Sequence, residues 1–175
     1  KEEIIFDYFN DSKYPNVKIL STGDETQTGG RIKQVEKYVD SDFLMTYGDG
    51  LANVDISKLI KSHKDSDKIS TMTVNKPVLR FGLVNFDKMG EVESFVEKPT
   101  LDYWVNIGYM IFKPEIFDFI PEDIPFENEP LVSLAKSKQL NAYKHEGYFK
   151  PMDTYREYLE LNKLWDSGKA PWKVH

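Results

Sequence analysis

Residues 43–47, Phe43-Leu44-Met45-Thr46-Tyr47, form a short apolar, β-prone run that stops abruptly at Gly48-Asp49-Gly50. A buried parallel strand ends in this way where it leaves its sheet. Helical patterns lie on both sides. Upstream, Ile32, Val35 and Val39 recur at helical spacing; downstream, Ile56, Leu59 and Ile60 do the same behind Asp55, a suitable N-cap. A strand held between two such helices calls for a layered α/β domain. The flanks extend this reading. Ile4, Ile5, Tyr8 and Phe9 make a helical apolar stripe, Tyr14-Pro15-Asn16 a turn, residues 17–20 a short strand and residues 21–30 a polar loop. From residue 69 the pattern changes to strands at 70–74, 82–86, 92–96 and 104–112, punctuated by Pro77, Gly90 and Pro99. These read as an antiparallel or mixed insertion. Helices return at 115–119, 129–136 and 154–165, the last with Tyr158, Leu161, Leu164 and Trp165 on one side and Gly168 at its end.

The expectation is one α/β domain over residues 1–175 with a mixed sheet. Its 40% hydrophobic content is enough for a core. Charged residues are spread along the chain and the net charge is −6, so no basic arm for nucleic acid is indicated. The absence of cysteine excludes disulfides, thiolate metal sites and cysteine nucleophiles, and favours a cytoplasmic protein. No apolar run approaches the roughly 20 residues of a membrane helix, so no membrane association is expected. Lys1-Glu2-Glu3 is not a signal peptide, and the first helical stripe starts without a cap; the sequence is expected to begin in mid-domain.

Several residues are suited to chemistry. Ligands of open α/β sheets sit beyond the C-terminal ends of strands, which is where Asp49 and its flanking glycines fall. The plain alternative is a tight turn. Asp153, directly before the last helix, is on its own fully explained as an N-cap, the reading favoured for it alone. Together, Asp49 and Asp153 would supply the one or two carboxylates that a phosphate-bound hard cation takes, if the fold unites them. Glu97-Lys98 ends a strand, pairing an acceptor for sugar hydroxyls with a point charge for phosphate, or else forming a solvated pair before Pro99. Asn106 is an amide inside an apolar strand, and must meet either protein partners or a ligand. The loop at residues 22–31 runs into a helix, so its backbone N–H groups and Arg31 are candidates to receive anionic groups. It lacks the Gly-Lys-Ser/Thr ending of a P-loop. His63, His145 and His175 show no metal or triad spacing and are read as surface or core residues.

Taken in order, Thr-Gly-x-x-Thr-x-Thr-Gly-Gly-Arg at 22–31, Thr-Tyr-Gly-Asp-Gly at 46–50, Arg-Phe-Gly at 80–82, Glu-Lys-Pro at 97–99, Pro-Met-Asp-Thr at 151–154 and Gly-Lys-Ala-Pro-Trp-Lys at 168–173 resemble the glucose-1-phosphate cytidylyltransferase family. The resemblance implies a Rossmann-like nucleotidyltransferase fold that joins CTP to glucose 1-phosphate, giving CDP-glucose for surface polysaccharide. By the same resemblance Asp49 and Asp153 would be Mg²⁺ ligands and Lys98 would hold the sugar phosphate. Glu97 and Asn106 would take sugar hydroxyls, while Thr26, Arg31 and Gly48 would lie against the nucleotide. Family members form homo-oligomers, for which Trp165 and Trp172 are candidate contacts. They usually read Asn-Gly-Gly-Phe where this chain has Asn106-Ile107-Gly108-Tyr109, which would set a bulkier Ile107 beside the sugar. They also open with a strand and a Gly-Gly-x-Gly-Thr-Arg loop that this sequence does not contain. The expectation is therefore an N-terminally truncated enzyme, the C-terminal two-thirds of the domain, inactive alone. A related enzyme with another sugar phosphate or nucleotide, and a non-catalytic sugar-phosphate-binding subunit, are the alternatives.

Overall fold

The computed structural model describes residues 2–9 and 14–173, so His175 lies outside the described residues. In chain order the elements are α1 (Glu2–Phe9), α2 (Thr28–Gln34) with a 3₁₀ turn at Glu36–Tyr38, β1 (Phe43–Met45), β2 (Gly50–Ala52), α3 (Ile56–Ser66) and β3 (Ser70–Asn75). There follow β4 (Leu83–Phe86), β5 (Val92–Val96), β6 (Val105–Phe112), a 3₁₀ helix at Pro114–Phe119, α4 (Glu129–Lys136), β7 (Leu140–Lys144), β8 (Phe149–Pro151) and α5 (Tyr155–Asp166).

A four-stranded sheet in the order β1-β6-β3-β7 is the centre of the fold. It is mixed: β3 runs parallel to β7, while β6 is antiparallel to both β1 and β3. The insertion is the antiparallel β4–β5 hairpin, and β2 pairs with β8 in a second small antiparallel sheet. Side chains of β6 alternate between two cores, as the two-residue period of a strand requires. Met110 and Phe112 join Ile116, Phe117, Ile120, Phe126 and Leu134 on one face; Ile107 and Ile111 join Val54 and Leu59 on the other. Each fully buried apolar side chain contributes about 1.5–3 kcal/mol relative to exposure, so β6 is the strand on which both cores depend.

Three expectations are corrected. The run at 43–47 is not a buried parallel strand; β1 pairs antiparallel with β6, Phe43 opposite Phe112, at the sheet edge, and Leu44 remains 49% exposed. Phe43 and Met45 do pack against the larger core, which accounts for the apolar pattern without setting the direction of the neighbour. Residues 17–20 take no strand among the described residues. Ile56 is exposed rather than inward, leaving Leu59 as the buried anchor of α3. The Asp55 cap is present, its side chain accepting from Lys58 N–H at 3.0 Å. Helix α1 keeps its apolar stripe but buries none of it, Ile4 being 66% exposed. No described helix is long and apolar enough to cross a membrane.

Candidate active site

Two remote segments meet at the β2–β8 pair. Gly50 stands opposite Pro151, and one step beyond the ladder Met152 N–H donates to the Asp49 carbonyl at 2.8 Å. This joins the turn bearing Asp49 to the segment bearing Asp153 along the backbone. Both residues are exposed. Among the described residues no group of three or more His, Asp or Glu is gathered to hold a metal unaided.

The helix cap here is Thr154, not Asp153. Thr154 Oγ1 accepts from Glu157 N–H while Glu157 Oε2 accepts from Thr154 N–H at 3.0 Å, a reciprocal capping box. Asp153 is thereby free of capping. Its carboxylate instead takes Arg80 Nη2 at 2.8 Å, and Arg80 also reaches the Oε1 of Glu157 at 2.9 Å. Glu157 is 7% exposed and accepts from Asp153 N–H as well. Glu157 was missing from the sequence reading, although Thr-x-x-Glu before an apolar stripe marks it.

Arg80 leads into the hairpin that carries Glu97 and Lys98. Leu83 pairs with Val96, and a Cβ on Gly82 would stand 2.5 Å from the Phe95 ring and 3.3 Å from Glu97 Oε2, so these exposed side chains lie directly over Gly82. Lys98 turns the chain out of β5 with φ +46°, a left-handed conformation uncommon for a side-chain-bearing residue. Its ammonium lies 3.4 Å from Glu97 Oε1, with both side chains more than half exposed.

Asn106 finds protein partners. Its Oδ1 accepts from Gly108 N–H at 2.9 Å, and its amide acts on the nearby Tyr47 phenol, favouring the ionised form. Gly108 has φ +80°, and a Cβ there would be 2.4 Å from the Tyr47 ring. The side chain of Ile107 is 3% exposed and packs with Val54, Leu59 and Ile111, so the expectation that its bulk intrudes on the sugar is corrected: the alternation of β6 sends it to the opposite face from Asn106. Tyr47 donates to Glu127, and Thr28 Oγ1 donates to the other oxygen of Glu127 at 2.7 Å. Burial, followed by Glu127, pushes the Tyr47 phenol well up. For Glu127, burial acts to raise the carboxyl, but hydrogen bonds from Tyr47 and Thr28 outweigh it and hold the group below 4.5.

The loop at 22–31 is closed on itself. Thr26 Oγ1 donates to the Thr22 carbonyl, and Arg31 reaches Thr22 Oγ1 at 2.5 Å and the Asp24 carbonyl at 3.1 Å. Of the N–H groups read as candidates for anions, Gln27 N–H bonds Asp123 and Gly29 N–H bonds the Ile124 carbonyl. Gly48 faces open space. His63 and His145 are buried, His63 Nδ1 on Thr71 and His145 Nε2 on the Tyr148 carbonyl, as core residues. A cleft of about 660 Å³ lies along the start of β1, lined by Asp42, Phe43, Leu44, His63 and Lys113; it shares no residue with the candidate site.

Over 163 residues the chain is 44% identical to glucose-1-phosphate cytidylyltransferase of Salmonella typhimurium, and over 161 residues 40% identical to the probable glucose-1-phosphate cytidylyltransferase of Bacillus subtilis. These matches take in 91% and 90% of this chain but 63% of each relative's length. Among solved structures, HddC from Yersinia pseudotuberculosis complexed with GMP-PN superposes with a TM-score of 0.68 at 26% identity, over 94% of this chain and 75% of that one. The mixed sheet with its inserted hairpin matches this solved fold. Since the sequence model of the Nucleotidyl transferase family also matches residues 1–164, the fold is a nucleotidyltransferase fold and the chain belongs to that family.

Proposed function

We propose that the protein containing this chain is a cytidylyltransferase that joins CTP to glucose 1-phosphate, giving CDP-glucose and pyrophosphate. The observation that carries this reading is the β2–β8 junction, which unites Asp49 and Asp153 in a family whose 44%-identical member is named for that reaction. An oxygen of the sugar phosphate attacks the α-phosphorus of CTP, the new P–O bond forms, and the bond to pyrophosphate breaks. Such a transfer depends on positioning and charge neutralisation, so no protein nucleophile is needed.

The donor set fits Mg²⁺, which takes one or two carboxylates and completes its shell with phosphate oxygens and water. Asp49 and Asp153 would hold it, and when bound it would neutralise phosphate charge. Asp153 is also the partner of Arg80, so cation binding and that ion pair draw on the same carboxylate. Lys98 supplies a point charge for the sugar phosphate, Glu97 hydrogen bonds to sugar hydroxyls together with the donor and acceptor capacity that Asn106 keeps beyond its partners in the chain, and Thr26, Arg31 and Gly48 the wall beside the nucleotide. The inward-turned Ile107 removes the steric argument against glucose.

A cytoplasmic homo-oligomer serving surface-polysaccharide synthesis is part of the same proposal. Exposed Trp165 supports an intersubunit contact, whereas Trp172 stacks on Tyr148 within the chain, 5.7 Å between ring centroids. The test is CDP-glucose formation from CTP, glucose 1-phosphate and Mg²⁺, measured for this chain and for the complete protein. A nucleotide panel should include guanosine derivatives, because HddC is complexed with GMP-PN. Asp49→Asn in the active form is expected to abolish metal-dependent turnover; full activity would reduce Gly48-Asp49-Gly50 to a turn.

A further inference from the structure

We propose that Glu127 is a positioning residue that links the nucleotide side of the site to its sugar side through Tyr47. The inference rests on the cytidylyltransferase reading. Glu127 lies just before α4, in a segment that no sequence motif singled out. Its two carboxylate oxygens are divided between two walls of the site: one accepts from Thr28 at the start of α2, the other from Tyr47 at the end of β1. Tyr47 immediately precedes Gly48-Asp49, lays its ring over Gly108 and has Asn106 as a polar neighbour of its phenol. Hydrogen bonds therefore run from Thr28 through Glu127 to Tyr47, and Asn106 is the next polar group beyond the Tyr47 phenol. This line starts beside the residues assigned to the nucleotide, passes the turn of the first metal carboxylate and ends beside the amide assigned to the sugar.

The bond is not required to attach these elements. The segment containing Glu127 is already fastened to the 22–31 loop by Gln27 N–H on Asp123, Gly29 N–H on Ile124 and Phe126 N–H on Thr28 Oγ1. Glycines at 29 and 30 allow that approach, since a Cβ at either would fall within 2.4 Å of Ile124 or Asp123. Glu127 is exposed as a residue, its carboxylate only partly covered, so its packing contribution is small. What it adds is direction. A carboxylate accepting two hydroxyl hydrogen bonds orients both donors, and Tyr47 so oriented presents its oxygen to Asn106.

The experiment compares wild type, Glu127→Ala, Glu127→Gln and Glu127→Ala/Tyr47→Phe in the complete protein. Steady-state kinetics with CTP and glucose 1-phosphate are measured, with Tm alongside. Glu127→Ala is expected to raise both KM values about tenfold, the scale of one hydrogen bond to a charged group, with little loss of Tm. Glu127→Gln, which keeps an acceptor, is expected to recover most of the loss, and the double variant to be no worse than Glu127→Ala. KM values within twofold of wild type, a drop in Tm with unchanged kinetics, or additive effects would each overturn the inference. Calorimetric titration with glucose 1-phosphate and with CTP makes the same comparison without turnover. Wild type that binds both substrates alongside an indistinguishable Glu127→Ala sinks this inference alone; wild type that binds neither sinks the functional reading and the inference with it.

Discussion

At the scale of the residue, side chains were legible where local chemistry marks them and illegible where a distant partner decides. Asp55 was visible as a cap from its place before a periodic stripe. Arg80, Tyr47 and Glu127 act through partners far along the chain, and no local spacing announces them. His63 is a related case, with a testable consequence. It is 1% exposed, its Nδ1 bonds Thr71, and its Nε2 has no hydrogen-bond partner, with Asp42 3.8 Å away. Burial, helped by Lys113, lowers its pKa below 6.5 against the opposing pull of Asp42. Asp67, paired with Lys113, is the next charge in this group. With a depressed folded pKa the unfolded chain binds more protons, so the contribution of neutral His63 is present above about pH 6.5 and is lost as pH falls. Urea unfolding between about pH 7 and about pH 5 is expected to show a loss of stability that is smaller in His63→Gln; equal slopes would count against it.

At the scale of the element, helices and the hairpin were legible because their periods are long enough to read. The three-residue strands β2 and β8 were not: so few positions carry no alternation, yet their pairing assembles the candidate site. The register and direction of β1 were hidden for the same reason. Helix α5 separates two roles that sequence left merged at its N-terminus. Thr154 carries the capping box and Asp153 does not cap. Thr154→Ala is expected to cost about 0.5–2 kcal/mol in denaturant unfolding. Asp153→Asn gives up only a half-exposed ion pair with Arg80, worth at most about 1 kcal/mol. It should remove turnover while sparing the fold. The reverse pattern would return Asp153 to the role of cap.

At the scale of the whole molecule, the fold class and the order of motifs followed from the sequence because both are set by patterns spread over many residues. What patterns do not show is which apolar surfaces stay uncovered. The outer side of β1, the stripe of α1 and both strands of the β4–β5 hairpin remain exposed, with Leu44, Ile4, Phe86 and Phe95 prominent. An open strand edge bordered by apolar side chains is a template for pairing with another chain, and lysine on such an edge discourages it. Leu44→Lys is therefore expected to reduce concentration-dependent association in sedimentation velocity of this chain. Undiminished association would place the contact elsewhere, with the hairpin the next surface to alter.

The Met152 N–H bond to the Asp49 carbonyl sits just outside a ladder of three residue pairs, apart from the central sheet. Local opening of so small a patch requires less free energy than opening β3 or β6, each paired along most of its length. The segments that carry Asp49 and Asp153 are thus joined by a latch that can release while the cores stay intact. In amide hydrogen exchange Met152 should exchange well before Met110 and Ile111, and a cation with phosphate ligand should slow Met152 selectively. The site would then be completed by its own substrates, each binding event closing a seam that the folded chain leaves easy to open.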